Sequence, residues 1–219
     1  MTDPEQLPLP LPVRSAAGRA DFFVSDANRA ALAEIERWRD WPQPKLVLTG
    51  AAGSGKSHLA SVWAEMADAT HLSAQGADSA GDGPVVLDDM PAIAGDHGAE
   101  QAVFHLHERL MAAGHAMLFV GRAAPGRWGL VLPDLASRVN AAGRAHIDAP
   151  DDALIQAVLV KHFDDRQLIV PPNVITYLAR RIGRALDDVA DVVDRLDRAA
   201  LAQGRRVTRQ FAADVLDHR

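Results

Sequence analysis

Cysteine is absent from the 219-residue sequence. Its absence excludes disulfide bonds, thiolate zinc sites and cysteine nucleophiles, and it fits an intracellular protein. No apolar run approaches the roughly 18 residues that a membrane-spanning helix needs, and the N-terminus lacks the pattern of a signal peptide. The net charge of −6 provides no broad basic surface, so little direct DNA binding is expected. We therefore expect a cytoplasmic protein without a membrane partner.

The sequence does contain the signature of a phosphate-binding loop. A short apolar run leads into Gly50 to Ser57, which follows the spacing G-x-x-x-x-G-K-[ST]. Gly50, Gly53 and Gly55 let the backbone turn tightly and aim N–H groups at a phosphate, just before a helix N-terminus. Lys56 would reach the β- and γ-phosphates, and the hydroxyl of Ser57 would bind Mg²⁺. The alternative is a chance glycine turn before a surface helix, which the strand-to-helix context disfavours.

Two carboxylates follow a second apolar run. Pro84 to Leu87 predicts a buried strand that ends in Asp88 and Asp89. A parallel sheet brings such acids to its carboxyl edge, where the phosphate loop also lies. Asp88 would then hold the magnesium and Asp89 would polarise water. Acids at strand ends are often turn formers, but their position after a phosphate loop favours the functional interpretation.

The remaining pattern predicts an α/β core followed by helices alone. Ser25 or Asp26 is the expected cap of the first helix, and residues 74–83 are expected to form a loop. From Pro150 onward only helical periodicity is present, with eleven basic and eleven acidic residues. We predict an extended tail at 1–15, a nucleotide-binding core at 16–149 and a helical lid domain at 150–219. The histidines at positions 58, 71 and 107 show no metal-ligand spacing.

The first 13 residues alternate proline with leucine and carry four of the thirteen prolines. A segment of this composition is expected to be extended. It is either a disordered leader or a short linear motif in which Gln6, Leu9 and Leu11 fill the apolar groove of a partner.

The order of these parts resembles that of the AAA+ ATPases, and in detail the Hda-like proteins of the DnaA family. The stretches that carry the resemblance span nearly the whole chain: QLPLPL, FVSDAN, the phosphate loop, VVLDDM, LPDLASR and RALDDV with DRLDRAAL. The resemblance implies an AAA+ P-loop core, with a parallel sheet flanked by helices, and a small all-helical lid. It also implies binding of ADP or ATP with Mg²⁺, with ADP in the working form.

Two further sets of residues take their roles from this resemblance alone. Gln6, Leu7, Leu9 and Leu11 match the hexapeptide with which such proteins bind the replicative sliding clamp. Arg138 matches the arginine finger, which reaches the triphosphate bound to a neighbouring subunit. The plainer interpretation of Arg138 is a solvated surface arginine.

The lid arginine called sensor II, which contacts the nucleotide of its own subunit, is matched by Arg184, with Arg180 and Arg181 as close competitors. Phe23, Val24 and Asn28 match the segment that passes the adenine, although they are equally compatible with a helix cap and core. The candidate nucleotide-binding residues are therefore Phe23, Val24, Asn28, Gly50, Gly53, Ser54, Gly55, Lys56, Ser57, His58 and Arg184.

The chain also departs from the family pattern. Val120, Gly121 and Arg122 stand where the family tends to carry a hydroxyl residue and an aspartate, so sensor I and hydrolysis in the chain's own site are expected to be weak. The length leaves no room for the helicase-contacting and DNA-binding domains of an initiator. The resemblance thus implies an adaptor that, on the DNA-loaded clamp, stimulates hydrolysis of DnaA-bound ATP and represses initiation.

Two alternatives remain at this point. One is a self-sufficient P-loop ATPase, such as a remodelling factor or helicase loader, for which Asp88 and Asp89 are both present. The other is a small-molecule kinase, which is disfavoured because its phosphate loop usually lies nearer the N-terminus. Self-association into a homo-oligomer is left open.

Overall fold

Five parallel strands form the centre of the core. The computed structural model describes residues 18–217, so the four candidate clamp-binding residues lie outside the described part. The strands are β1 (Lys45–Gly50), β2 (Thr70–Ser73), β3 (Val85–Asp88), β4 (Met117–Gly121) and β5 (Gly143–Ile147). Their spatial order is β2-β3-β4-β1-β5. All four strand pairings are parallel, which confirms the predicted sheet.

Helices cover both faces of this sheet because the side chains of its strands alternate. The helices of the core are α1 (Arg29–Glu36), α2 (Lys56–Ala67), α3 (His97–Ala112) and α4 (Pro133–Asn140). Leu46 and Leu48 pack with the buried residues of α1 and α2, whereas Val47 between them packs with those of α3 and α4. Trp63 of α2 is fully buried and stacks on Trp41 with ring centroids 5.7 Å apart. Trp63 is therefore a core residue.

The C-terminal helices form a hydrophobic core of their own. They are α5 (Asp152–Asp165), α6 (Pro172–Arg181), α7 (Leu186–Gln203) and α8 (Arg209–Asp217). Leu159, Leu178, Leu196 and Phe211 meet at its centre, one from each helix. Thr208 caps α8 by accepting the N–H of Phe211 at 3.2 Å. Across residues 18–217, no helix combines the length and the apolar character required to cross a bilayer.

Two local predictions are wrong. The first helix starts after Asn28, not after Ser25 or Asp26, because the Asn28 side chain closes a turn beforehand. Its Oδ1 accepts the N–H of Ser25 at 2.9 Å, and its Nδ2 donates to the carbonyl of Phe23 at 2.9 Å. The expected loop at 74–83 contains a 3-10 helix (Ala74–Ser79), which is held by burial of its alanines against the sheet.

Candidate functional site

The phosphate loop connects β1 to α2 in a conformation that depends on glycine. Gly53 has φ of 65° and Gly55 has φ of 95°, in the left-handed region that side chains disfavour. At Gly50 the constraint is close approach, since a Cβ atom there would lie 2.7 Å from both the carbonyl oxygen of Ile147 and the Oγ of Ser54. The motif therefore folds into the tight cradle that its glycines predict.

Polar atoms in this cradle lack protein partners. The Oγ of Ser54 and the Nε2 of His58 are buried and make no hydrogen bond to any group within residues 18–217. The ammonium of Lys56 donates to the carbonyl of Ala51 at 2.6 Å, a bond within the loop. Burial lowers the pKa of Lys56, while the charge of Asp88 acts in the opposite direction. Orphaned polar atoms beside a glycine cradle fit a bound phosphate group.

Ser57 and Asp88 come together from different elements, at the start of α2 and the end of β3. The adjacent His71 does most to hold the pKa of Asp88 below its usual value, with smaller contributions from Ser57 and the N–H of Asp89, while burial opposes them. The Nε2 of His71 lies 3.6 Å from Oδ2 of Asp88. Ser57 therefore offers a neutral hydroxyl, and Asp88 an ionised carboxylate, where a metal ion would sit.

Mg²⁺ would be held here jointly with nucleotide phosphates. In residues 18–217 no group of three or more histidines and acids could bind a metal ion by itself. Mg²⁺ usually takes one or two protein ligands and completes its shell with water and phosphate oxygens, which Ser57 and Asp88 match. Asp89 is exposed at a φ of 53° and lies near enough to influence the pKa of Lys56. It is thus on the same side of the sheet as the phosphate loop.

The end of β4 lacks the polar side chain of a sensor. Val120 is buried, and at Gly121 a Cβ atom would lie 2.7 Å from the indole of Trp128. The indole N–H of Trp128 donates to the carbonyl of Ala123 at 2.7 Å, which fixes the ring over the strand end. The glycine is thus required by the tryptophan that packs on it.

The lid rests directly on the phosphate loop. The N–H of Leu186, at the start of α7, donates to the carbonyl of Gly53 at 2.7 Å. A Cβ atom at Gly53 would lie 2.5 Å from that of Ala185. The next residue, Asp187, is close enough to raise the pKa of Lys56, although burial lowers it overall. Any movement of the lid therefore changes the backbone environment of the loop.

Three arginines are candidates for sensor II: Arg180, Arg181 and Arg184. Of these, Arg184 is nearest in sequence to the contact between Leu186 and Gly53. Its Nη1 donates to the carbonyl of Pro150 at 3.2 Å and its Nη2 to Asp152 at 3.1 Å, so it binds the start of α5. Arg181 pairs with Asp217 of α8 at 2.6 Å. Arg184 is thus the lid arginine whose chain neighbours touch the phosphate loop.

A cavity of about 420 Å³ lies between core and lid, a normal size for a ligand site. Its lining includes the phosphate loop, His58 and the start of α7, with Lys161 and His162 from α5. An adjoining cleft of about 640 Å³ is lined by Phe23 and Val24. The Nζ of Lys161 lies 3.2 Å from Oδ1 of Asp21 and joins the walls of both spaces.

Arg138 lies at the end of the strands that is opposite to the phosphate loop. It occupies the last turn of α4, which leads into β5, and the first residue of β5 pairs with Leu46 near the start of β1. The phosphate loop follows the other end of β1, which is about 17 Å away at roughly 3.3 Å per residue. The Nε of Arg138 donates to Oε1 of Glu108 at 3.1 Å, and the side chain is half exposed. Arg138 cannot reach a phosphate held by its own loop.

Comparison with known families identifies the helical domain. Residues 151–216, which include nearly all of α5 to α8, match the family described as "Hda, lid domain". The chain as a whole is similar to domain III of the replication initiation protein DnaA from Thermotoga maritima, with a TM-score of 0.81 and 16% identity. That likeness covers 94% of this chain and 98% of the other. The helical domain thus matches the Hda lid family, and the chain as a whole has the fold of DnaA domain III.

The fold of the chain is that of AAA+ proteins. AMPPCP-bound DnaA from Aquifex aeolicus has a TM-score of 0.68 and 17% identity, over 84% of this chain and 66% of that DnaA. A RuvB variant from Thermotoga maritima has a TM-score of 0.70 and 12% identity, over 92% and 71% of the two chains. The predicted AAA+ core with a helical lid is confirmed.

The structure separates the candidate residues into those that converge on one site and those that do not. The phosphate loop, Ser57, Asp88 and His58 converge, and Phe23 and Val24 line the adjoining cleft. Asn28 is buried and uses its amide for the turn before α1, which favours a structural role. Sequence reasoning missed His71, Lys161 and Glu108, whose partners are distant along the chain. In the sequence, His71 carried one weak signal, its position on a short predicted strand.

Proposed function

We propose that this Hda-like protein is a nucleotide-binding adaptor that regulates initiation of chromosomal replication. It binds ADP or ATP with Mg²⁺ and presents Arg138 to the ATP held by DnaA, whose hydrolysis it stimulates. The observation that carries the proposal is the position of Arg138, exposed on the edge of the sheet away from its own phosphate loop. An arginine finger acts in this way on a neighbour, and can raise a hydrolysis rate by about 10³ to 10⁵.

The protein's own nucleotide has a structural role in this proposal. A nucleotide in the cavity would touch both the phosphate loop and the lid, because the two already meet at Gly53 and Leu186. Its binding energy would hold the lid in one orientation on the core. The strand end covered by Trp128 supports weak hydrolysis in this site. The DnaA structure with bound AMPPCP supports an adenine nucleotide as the ligand.

The tail supplies the second partner in the proposal. Gln6, Leu7, Leu9 and Leu11 would bind the groove of the DNA polymerase sliding clamp, and so restrict the adaptor to loaded clamps. A segment stiffened by proline loses less conformational entropy on docking than a flexible one. Replacing Gln6 and Leu9 together by alanine should abolish capture of the protein by immobilised clamp. Unchanged capture would remove the tail from the mechanism.

The experiment that tests the finger follows labelled ATP bound to DnaA. DnaA carrying one equivalent of labelled ATP is mixed with clamp-loaded DNA and the Hda-like protein, and release of phosphate is measured. Arg138→Ala should remove the stimulation while its thermal unfolding and clamp capture match those of the parent. Undiminished hydrolysis with Arg138→Ala would exclude the assignment.

A self-sufficient ATPase is the second candidate function. It is favoured by one observation, the meeting of Ser57 with Asp88 beside an exposed Asp89. This candidate predicts multiple turnovers of ATP by the isolated protein, lost in Lys56→Ala and in Asp89→Ala. The adaptor predicts less than one turnover per hour by the isolated protein and full stimulation of DnaA by Asp89→Ala.

A further inference from the structure

A row of four side chains leads from the buried start of β1 to Arg138. Lys45 is only 6% exposed, and its Nζ lies 3.3 Å from Nε2 of His107. His107 is 2% exposed on α3, and its Nδ1 lies 3.1 Å from Oε1 of Glu108. The same oxygen accepts the Nε–H of Arg138 at 3.1 Å. The buried pair of Lys45 and His107 thus supports the half-exposed pair of Glu108 and Arg138.

The donors in this row all point toward Glu108. A lysine ammonium can only donate, so Nε2 of His107 must accept, and the ring proton is on Nδ1. That N–H is donated to Glu108. Burial, followed by the charge of Lys45, lowers the pKa of His107, which keeps the ring neutral. The bond from His107, followed by the charge of Arg138, lowers the pKa of Glu108, so its carboxylate is ionised.

The guanidinium of Arg138 is held by only one of its three nitrogens. Within residues 18–217, neither Nη1 nor Nη2 of Arg138 has a hydrogen-bond partner. These two nitrogens are the ones that bind two oxygens of a phosphate side by side. An exposed arginine and glutamate would by themselves form a weak and mobile pair, since solvent screening and side-chain entropy offset most of their attraction. The buried His107 removes that freedom from Glu108.

We propose that Glu108 is a positioning residue for the arginine finger. Fixed by His107 and Lys45, it holds Nε of Arg138 and leaves the outer edge of the guanidinium directed at the triphosphate of the partner. This inference rests on the proposed function, because it assumes that Arg138 acts on a partner's ATP. According to this inference, Glu108 affects the stimulated rate of hydrolysis and not the affinity between the two proteins.

The test compares three variants in the labelled-ATP assay on DnaA, over a range of concentrations of the Hda-like protein. Glu108→Ala should lower the maximal stimulated rate by about tenfold or more, because a displacement of roughly 1 Å can cost up to about 10²-fold. The concentration for half-maximal stimulation should stay within twofold of that of the parent. Glu108→Gln keeps an oxygen that accepts both N–H groups, so it should restore most of the rate.

The matched control is Glu36→Ala. Glu36 of α1 accepts the Nε–H of Arg19 at 2.8 Å, and the two side chains are 42% and 45% exposed, against 46% and 50% for Glu108 and Arg138. This variant should keep the parent rate. In an Arg138→Ala background, Glu108→Ala should have no further effect, since the two act as a unit.

The outcomes separate the two proposals. If Arg138→Ala keeps full stimulation, the proposed function fails and the positioning role fails with it. If Arg138→Ala loses stimulation but Glu108→Ala stays within twofold of the parent rate, the positioning role alone is overturned. A higher rate with Glu108→Ala would mean that Glu108 restrains the finger, and a changed half-maximal concentration alone would mean a docking contact. Both results contradict the inference.

Discussion

Gly53 is the residue at which the phosphate loop and the lid meet. Its φ of 65° and the 2.5 Å separation between a Cβ placed there and that of Ala185 make any side chain doubly unfavourable. Gly53→Ala should therefore push the start of α7 away and break the bond from the N–H of Leu186. We expect a loss of about 2–4 kcal/mol in unfolding free energy, from backbone strain and overpacking together, measured by urea titration.

Gly114 provides the control for this prediction. It has φ of 75°, but a Cβ atom there would meet nothing within 4 Å. Gly114→Ala should lose only the unfolding free energy that comes from backbone strain, about 1–2 kcal/mol. It should retain nucleotide as the parent does. Equal losses in both variants would mean that the contact with Ala185 has no energetic weight.

Two histidines, His107 (buried) and His162 (half-buried), give stability a pH dependence. Burial is the main cause that lowers the pKa of both His107 and His162 below the ordinary 6.5, and the charges of Lys45 and Arg166 add to it. Below pH 6.5 the unfolded chain therefore binds protons that the folded chain does not. The unfolding free energy should be full above pH 6.5 and should fall as the pH decreases from there toward the folded pKa values.

The measurement is urea unfolding at pH 7.5, 6.5 and 5.5. Replacing His107 and His162 together by glutamine should flatten the profile across this range. Stability that increases on acidification from pH 6.5 to 5.5 would contradict the assignment of both rings as neutral.

At the scale of elements, a buried carboxylate holds the segment that leads into α4. Glu100, in the first turn of α3, is fully buried and accepts the N–H groups of Gly95 at 2.9 Å, Val131 at 2.9 Å and Leu132 at 2.6 Å. Glu100→Ala should leave these three part-buried donors without their partner and cost about 1–3 kcal/mol. Differential scanning calorimetry should show the loss, while exposed Glu65→Ala should stay within about 0.5 kcal/mol. A small effect of Glu100→Ala would mean that water replaces the carboxylate.

Elements with a strong local pattern were predictable from the sequence. Val103, Leu106 and Leu110 repeat at helical spacing and form the buried face of α3. Thr208 is a typical capping residue and indicates the start of α8. The segment Ala74–Ser79 was not predictable, because small residues typical of loops are also small enough to be buried beneath a sheet. The start of α1 was misplaced because three capping residues, Ser25, Asp26 and Asn28, compete within four positions and only packing selects Asn28.

The candidate site likewise has parts that a local sequence pattern predicts and parts that it does not. The phosphate loop was predictable because its residues are contiguous and its spacing is imposed by one phosphate. The pairs of His71 with Asp88 and of Glu108 with Arg138 join elements far apart in the chain. Their proximity follows from strand order and helix packing, which a single sequence does not display.

At the scale of the whole molecule, core and lid enclose the cavity that we propose holds the nucleotide. A ligand that binds only the folded state stabilises it, by about 2.7 kcal/mol at a concentration 100 times its Kd. ADP with Mg²⁺ should therefore raise the melting temperature of the protein, and Lys56→Ala should remove the shift. AMP lacks the β-phosphate that the loop would hold, so it should stabilise far less. Equal shifts with AMP and ADP would place the binding energy outside the phosphate loop.

Arg138 and the phosphate loop lie at separate ends of the molecule, and under the proposed function one end holds a nucleotide while the other acts on a partner. Phosphoryl transfer depends on charges placed around the transferred group, so a single guanidinium supplied by a neighbour has a large effect on rate. Arg144 of β5 is a suitable comparison, because it is also exposed and lies near the same edge of the sheet. Loss of general positive charge at this edge can thus be distinguished from loss of the finger.

The most direct measurement is a single-turnover assay of labelled ATP bound to DnaA, on clamp-loaded DNA, with the parent protein, Arg138→Ala and Arg144→Ala. We predict that Arg138→Ala lowers the stimulated rate by about 10³-fold, toward that of DnaA alone, while Arg144→Ala stays within about threefold of the parent. Stimulation by Arg138→Ala equal to that of the parent would contradict the account.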